Sequence, residues 1–76
     1  MRVDARGYSC PEPMLMATDA IRDAGDSAGV VVDVSDGAAR DSVLRVAQKL
    51  GRPSSFKETE DGFEITIGPT GGNRTL

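Results

Sequence analysis

A two-layer α/β (α+β) sandwich of order β-α-β-α-β-β is predicted by three observations. Two amphipathic helical patterns each follow a short β-type segment. A near-continuous β-branched run, Val30 to Val34, separates them. An Asp61-Gly62 turn signal joins two alternating segments near the end. The first two βα units favour right-handed crossovers between parallel strands. The expected architecture is therefore a four-stranded mixed sheet with two helices on one face.

Arg2 to Ala5 is a candidate strand with Val3 as its apolar member, and Arg6 to Ser9 a loop in which Gly7 is free to take positive φ. The first helix starts at Ser9-Cys10-Pro11-Glu12-Pro13. Proline is tolerated in a first turn, where its missing N–H has no intrahelical partner anyway. Two cap placements compete. Ser9 with Glu12 forms an S-x-x-E capping box, or Cys10 is the cap and Pro11 the first helical residue. The helix runs to about Ala24, with Met14, Ala17, Ile21 and Ala24 on one face, Leu15 and Ala20 widening it, and Gly25 closing it.

Val30 to Val34 suits a strand covered on at least one face. Asp36 is a candidate N-cap for a second helix over Ala38 to Leu50, whose core stripe is Ala39, Val43, Val46, Ala47 and Leu50. Asp41 and Lys49 suit the two ends of its dipole, and Gly51 and Pro53 stop it. Ser55 to Glu60 and Phe63 to Ile67 then form a hairpin about Asp61-Gly62, with Phe63, Ile65 and Ile67 on its dry face. The glycine-rich end, poor in apolar residues, reads as a loose tail, which sets a single domain over residues 1–68 and a flexible tail over 69–76.

Seventy-six residues with one cysteine and no histidine exclude an intramolecular disulfide and leave no structural zinc site, so no metal or cofactor is expected. The formal charge of −3 argues against stable nucleic-acid binding, which needs Lys and Arg to neutralise phosphates. No apolar run is long enough for a signal peptide or a membrane span, and a lone free cysteine fits a reducing compartment, so a cytoplasmic location is expected. Asp33, Asp36 and Asp41 lack the spacing of a calcium loop and read as caps and solvated groups. Gly71-Gly72 resembles the tails of ubiquitin-like sulfur carriers, but four residues follow it and the element order differs.

The chemistry concentrates on Cys10. A thiol at a helix start faces unpaired N–H groups and the positive end of the dipole, which favour the nucleophilic thiolate. Arg6 in the preceding loop favours it too, and a Glu12 carboxylate turned inward opposes it. The competing reading is a buried, inert small side chain. The absence of histidine excludes a Cys–His dyad, the lone cysteine excludes a C-x-x-C pair, and no phosphate-binding glycine loop is present. What remains is a nucleophile that depends on partner proteins.

The segment Val3-Asp4-Ala5-Arg6-Gly7-Tyr8-Ser9-Cys10-Pro11-Glu12-Pro13 resembles the N-terminal signature of the TusA/SirA-like family, an Asp-Ala-x-Gly lead into Cys-Pro-x-Pro. The likeness continues through Ala38-Ala39-Arg40-Asp41 and the Phe63-to-Ile67 strand, covering roughly residues 2 to 67. It implies a sandwich like the C-terminal domain of translation initiation factor 3, with Cys10 carrying a persulfide and Asp4, Arg6, Gly7, Pro11, Glu12 and Pro13 as its motif and support. It also implies a cysteine desulfurase or rhodanese-like sulfur donor, and an acceptor protein in tRNA thiolation, molybdenum cofactor synthesis, sulfur oxidation or selenium metabolism. Two positions depart from the pattern. Ala17-Thr18-Asp19 stands where the family often has Lys or Arg, and Tyr8 where an aliphatic residue is common. The alternative function is a non-catalytic protein-binding or redox-sensing module of the same fold.

Overall fold

The computed structural model describes residues 2–8, 11–25 and 28–69. Six elements follow the expected order: β1 (Arg2–Asp4), α1 (Glu12–Ala24), β2 (Val30–Val34), α2 (Gly37–Lys49), β3 (Ser54–Thr59) and β4 (Gly62–Ile67). They build one four-stranded mixed sheet in the order β1-β2-β4-β3. β1 runs parallel to β2, and β4 is antiparallel to both β2 and β3. α2 therefore crosses β4 to reach the far edge. Among the described residues no helix is long and apolar enough to cross a membrane.

Register divides the sheet into a dry and a wet face. Val3, Val32, Ile65 and Phe56 lie in one cross-strand row, and Val34 pairs with Phe63 and Val30 with Ile67 on the same face. That face packs under the helices. Val30, Val32, Val34, Ile65 and Ile67 are almost completely buried against Ala17, Ala20, Ile21, Ala39, Val43 and Ala47. The alternate row, Asp4, Asp33, Glu64 and Lys57, faces away from the helices. Arg2 ties it together, donating to Asp33 through Nε and Nη2 and to Glu64 through Nη2, all at 3.0 Å.

The second helix is capped as its sequence requires. The Asp36 carboxylate accepts from the Ala39 N–H at 2.8 Å. The first helix departs from expectation. Its N-cap is Pro11, which makes no side-chain hydrogen bond, and Glu12 is the first helical residue. Neither the Ser9–Glu12 capping box nor a Cys10 cap is the observed arrangement, and Ser9 and Cys10 themselves lie outside the described residues. A capping box needs Glu12 at the third helical position, and Glu12 is instead the first, with Pro11 at the N-cap. Pro13 is fully buried and fixes the helix start to the core.

Two leucines expected in the core are exposed. Leu15 is 52% and Leu50 44% accessible. Both lie on the outer side of the helix layer, in the shallow groove between α1 and α2, where among the described residues no third layer covers them. The hairpin also shifts by one residue. Thr59 pairs with Gly62, so the turn is Glu60-Asp61 rather than Asp61-Gly62. Gly62 has φ +150° and lies so close to the Val34 carbonyl that no side chain fits there.

Arg52 had no role in the sequence pattern, and it is 7% exposed. Its guanidinium donates to the carbonyls of Gly25 at 2.8 Å, Gly68 at 3.3 Å and Ala28 at 3.5 Å. It thus joins the end of α1, the approach to β2 and the exit from β4. Replacing it leaves buried carbonyls without a donor. Arg52→Ala should cost about 2–4 kcal/mol of unfolding free energy in urea titrations. A loss well under ~1 kcal/mol would show that water serves those carbonyls equally well.

Candidate functional site

The segment leading to Cys10 is held at the end of the sheet where β1 and β2 finish. Ala5 is fully buried and its N–H donates to the Asp33 carbonyl at 2.8 Å, continuing the β1–β2 ladder by one residue. Gly7 then turns with φ +87°, a conformation suited to glycine. Its N–H donates to the Ser35 hydroxyl oxygen at 2.7 Å, which ties the loop to the β2–α2 connection. Tyr8, the last described residue before Pro11, is 49% exposed.

Arg6 locks the same loop from the side. Its Nε and backbone N–H donate to Asp4 Oδ1 at 2.9 and 3.2 Å, and Nη2 to Oδ2 at 3.2 Å. Nη1 donates to Asp61 in the hairpin turn at 3.2 Å. Residues 5–8 are thus bound both to the 35–36 connection and to the 60–61 turn. The guanidinium faces two carboxylates, so its charge is largely spent on holding the loop. These hydrogen bonds hold the Asp4 carboxyl below its ordinary value of 3.8. On the wet face, Arg2, assisted by Lys57, holds Glu64 below 4.5 in the same way.

On the far side of the Cys10 position, α1 begins. The first helical donor with an intrahelical acceptor is Leu15 N–H, bonded to the Pro11 carbonyl at 3.0 Å. With Pro13 contributing no N–H, Glu12 and Met14 are left as the donors at the positive end of the helix. Glu12 and Pro11 are exposed, and Pro13 is buried. Further along, Met14, Leu15 and Thr18 line a shallow groove of about 200 Å³ with Val46, Lys49 and Leu50.

Of the residues singled out from sequence, Asp4, Arg6 and Gly7 belong to one pinned loop, and Pro11, Glu12 and Pro13 form the helix start. Cys10, between them in the chain, lies outside the described residues, as do Gly71 and Gly72. Sequence reasoning missed Ser35 and Asp61 as anchors of that loop. No local pattern marks either, because each acts on a residue at least 28 positions away. The three aspartates examined for a cation site go to separate tasks. Asp36 caps α2, Asp33 pairs with Arg2, and Asp41 pairs with Arg40 at 2.9 Å.

The four-stranded mixed sheet with two helices, in the order β-α-β-α-β-β, matches the fold of a SirA-like protein. A SirA-like protein from Desulfitobacterium hafniense superposes with a TM-score of 0.80 at 31% identity, covering 88% of this chain and 95% of that one. A family model described as sulfurtransferase TusA matches residues 1–68. The chain belongs to the TusA sulfurtransferase family, and sulfur carriage is its general function. No curated protein matches it.

Carboxylates whose folded pKa is depressed stabilise the fold above their unfolded values and lose that contribution as pH falls through the folded ones. Asp4 and Glu64 place this window below 4.5. Unfolding free energy should be nearly flat from neutral pH to about 5 and fall below that. Asp4→Asn should lower stability at neutral pH and flatten the acid slope. An unchanged slope would mean that the Asp4–Arg6 contact is not maintained in solution.

Proposed function

We propose that Cys10 is the sulfur-carrying residue. Its thiolate attacks the terminal sulfur of a donor persulfide. The donor sulfur–sulfur bond breaks, the donor leaves as a thiolate, and Cys10 becomes a persulfide. An acceptor then takes that terminal sulfur and the Cys10 thiolate returns. The donor would be a cysteine desulfurase or a rhodanese-like protein, and both partners would be met in the cytoplasm. Residues 1–68 act as the carrier domain, with residues 69–76 as a tail.

The observation that carries this reading is the support on both sides of Cys10. Ser35 fixes Gly7, Asp4 and Asp61 fix Arg6, and burial of Pro13 fixes the helix start. A relay thiol needs a defined position and little else, because its partners bring the remaining chemistry. The Glu12 and Met14 amides and the helix dipole favour an anionic sulfur in either state. Arg6, already paired with two carboxylates, acts in this scheme by positioning the loop.

Incubation with a cysteine desulfurase and cysteine, without added reductant, followed by intact mass, tests the proposal. The expected result is a gain of one sulfur that disappears in Cys10→Ser and reverses on adding a thiol. If no desulfurase or rhodanese loads the wild-type chain while Cys10→Ser keeps its cellular role, the domain is a docking or redox-sensing module instead.

A further inference from the structure

Arg40 lies in the first turn of α2, and its side chain is only a quarter exposed. Its guanidinium sits over the Phe63 ring at 4.6 Å and the Phe56 ring at 4.8 Å, within cation–π range of both. The two rings meet edge-on at 5.8 Å. Nε and Nη2 are held by Asp41 Oδ1 at 3.0 and 2.9 Å, which fixes the plane of the fork. A Cβ on Gly37 would stand 3.5 Å from Nη2, so the fork also rests against the first residue of α2. One side chain thus joins the start of α2 to both strands of the hairpin.

What stands on either side of that joint gives it a bearing on Cys10. Ser35, which accepts from the Gly7 N–H, immediately precedes the Asp36 cap of α2. Asp61, which accepts from Arg6, stands two residues before Phe63. The Val34–Phe63 pair aligns β2 with β4, but the hairpin ladder ends at Thr59–Gly62, and residues 60–61 project past it. β3 pairs with β4 on one side only, and Phe56 against Arg40 ties it to α2. At Gly62 the hairpin presses on the β2–α2 connection, where a Cβ would stand 2.8 Å from the Ser35 Cα. The two anchors of the loop before Cys10 therefore face each other across a joint that Arg40 closes.

We propose that Arg40 is a positioning residue for sulfur transfer at Cys10, acting through Ser35 and Asp61. This role rests on Cys10 being the sulfur-carrying residue. Arg40 holds the hairpin turn against the β2–α2 connection, so that Gly7 and Arg6 are gripped at a fixed separation. The task suits a guanidinium. Its flat face covers two rings while its edge binds a carboxylate, whereas an ammonium is a point charge without that fork. Attack on a donor sulfur needs the thiolate in a near-attack position, and a displacement of about 1 Å caused far from the chemistry can slow a reaction about 100-fold.

Two measurements on the full chain test this role together. One is hydrogen exchange of the Gly7 amide, which Ser35 binds. The other is the rate at which a cysteine desulfurase with cysteine loads sulfur on Cys10. In Arg40→Met the Gly7 amide should exchange about tenfold faster. Sulfur loading should slow about three- to tenfold, with circular dichroism still that of a folded chain. Arg40→Lys should fall between Arg40→Met and wild type. Phe56→Leu removes one ring at an exposed position and should move both readouts the same way by less, which keeps the test if Arg40→Met does not fold. Ile21→Val, a core change near the other end of α1, lowers stability by packing alone and should leave both readouts at their wild-type values. Three outcomes overturn the role: wild-type loading in Arg40→Met, unchanged Gly7 exchange in it, or equal losses in Arg40→Met and Ile21→Val. A wild-type chain that takes up no sulfur instead overturns the Cys10 reading, and the role in sulfur transfer falls with it whatever the Gly7 amide does.

Discussion

The structure depends on a single dry layer. Valine and isoleucine from β2 and β4 supply the branched side chains, and alanine-rich stripes on α1 and α2 let the helices approach the sheet closely. A chain of this length has no room for a second core. Every other feature is arranged around that layer. Among the described residues nothing covers the sheet's second face, so its side chains must be comfortable in water. The row Asp4, Asp33, Glu64 and Lys57, crossed by Arg2, meets that need with ion pairs rather than apolar burial. The pairs whose arginine or lysine is well exposed add little stability singly, although the Asp33 carboxylate that Arg2 grips is itself buried. Their value here is to keep a sheet solvated on one side without leaving an apolar surface open to aggregation.

The same constraint explains where the chain spends its few long-range polar contacts. A thin sandwich secures its connections poorly by packing alone. Arg52 gathers carbonyls from three separate segments at one end of the sheet. At the other end, Arg6 and Ser35 join the loop after β1 to the β2–α2 connection and the β3–β4 turn. Both arginines work as multi-donor forks, a geometry lysine does not provide. One end is thereby closed for stability. The other is closed around a loop that leads to the lone cysteine.

Locally determined features were legible in the sequence. Val30 to Val34 declares itself by β-branched composition, and the Asp36 cap by its place before an apolar stripe. Those elements have the expected identity because their physics lies within a few residues. Features that depend on what lies across the fold were not legible. Leu15 and Leu50 follow the helical period yet stay exposed in the groove between the helices, because amphipathic spacing does not reveal where two neighbouring helices meet each other. Arg52 reads as one more charged residue before Pro53, since the carbonyls it serves are brought together only by folding. The start of α1 differs for another reason: the S-x-x-E spacing places Glu12 three residues into a helix, whereas the helix opens at Glu12 itself with Pro11 as its cap.

The start of α1 also bears on how the thiol of the proposed relay would be presented. A serine cap would satisfy one of the donors of the first turn. Here the N-cap makes no side-chain hydrogen bond, and only Glu12 and Met14 offer amide hydrogens at the start. The buried ring of Pro13 keeps that turn from fraying, which is the usual fate of an uncapped helix end. Rigidity therefore comes from burial rather than from a cap, and the remaining donors stay available to an anion. In the proposed relay this separation is useful. In that proposal the same two amides would favour the sulfur anion before and after loading, so neither state would be trapped. Direction must then come from the donor and acceptor proteins, which meet a surface with Glu12, Asp4 and Asp61 on it and an arginine already engaged.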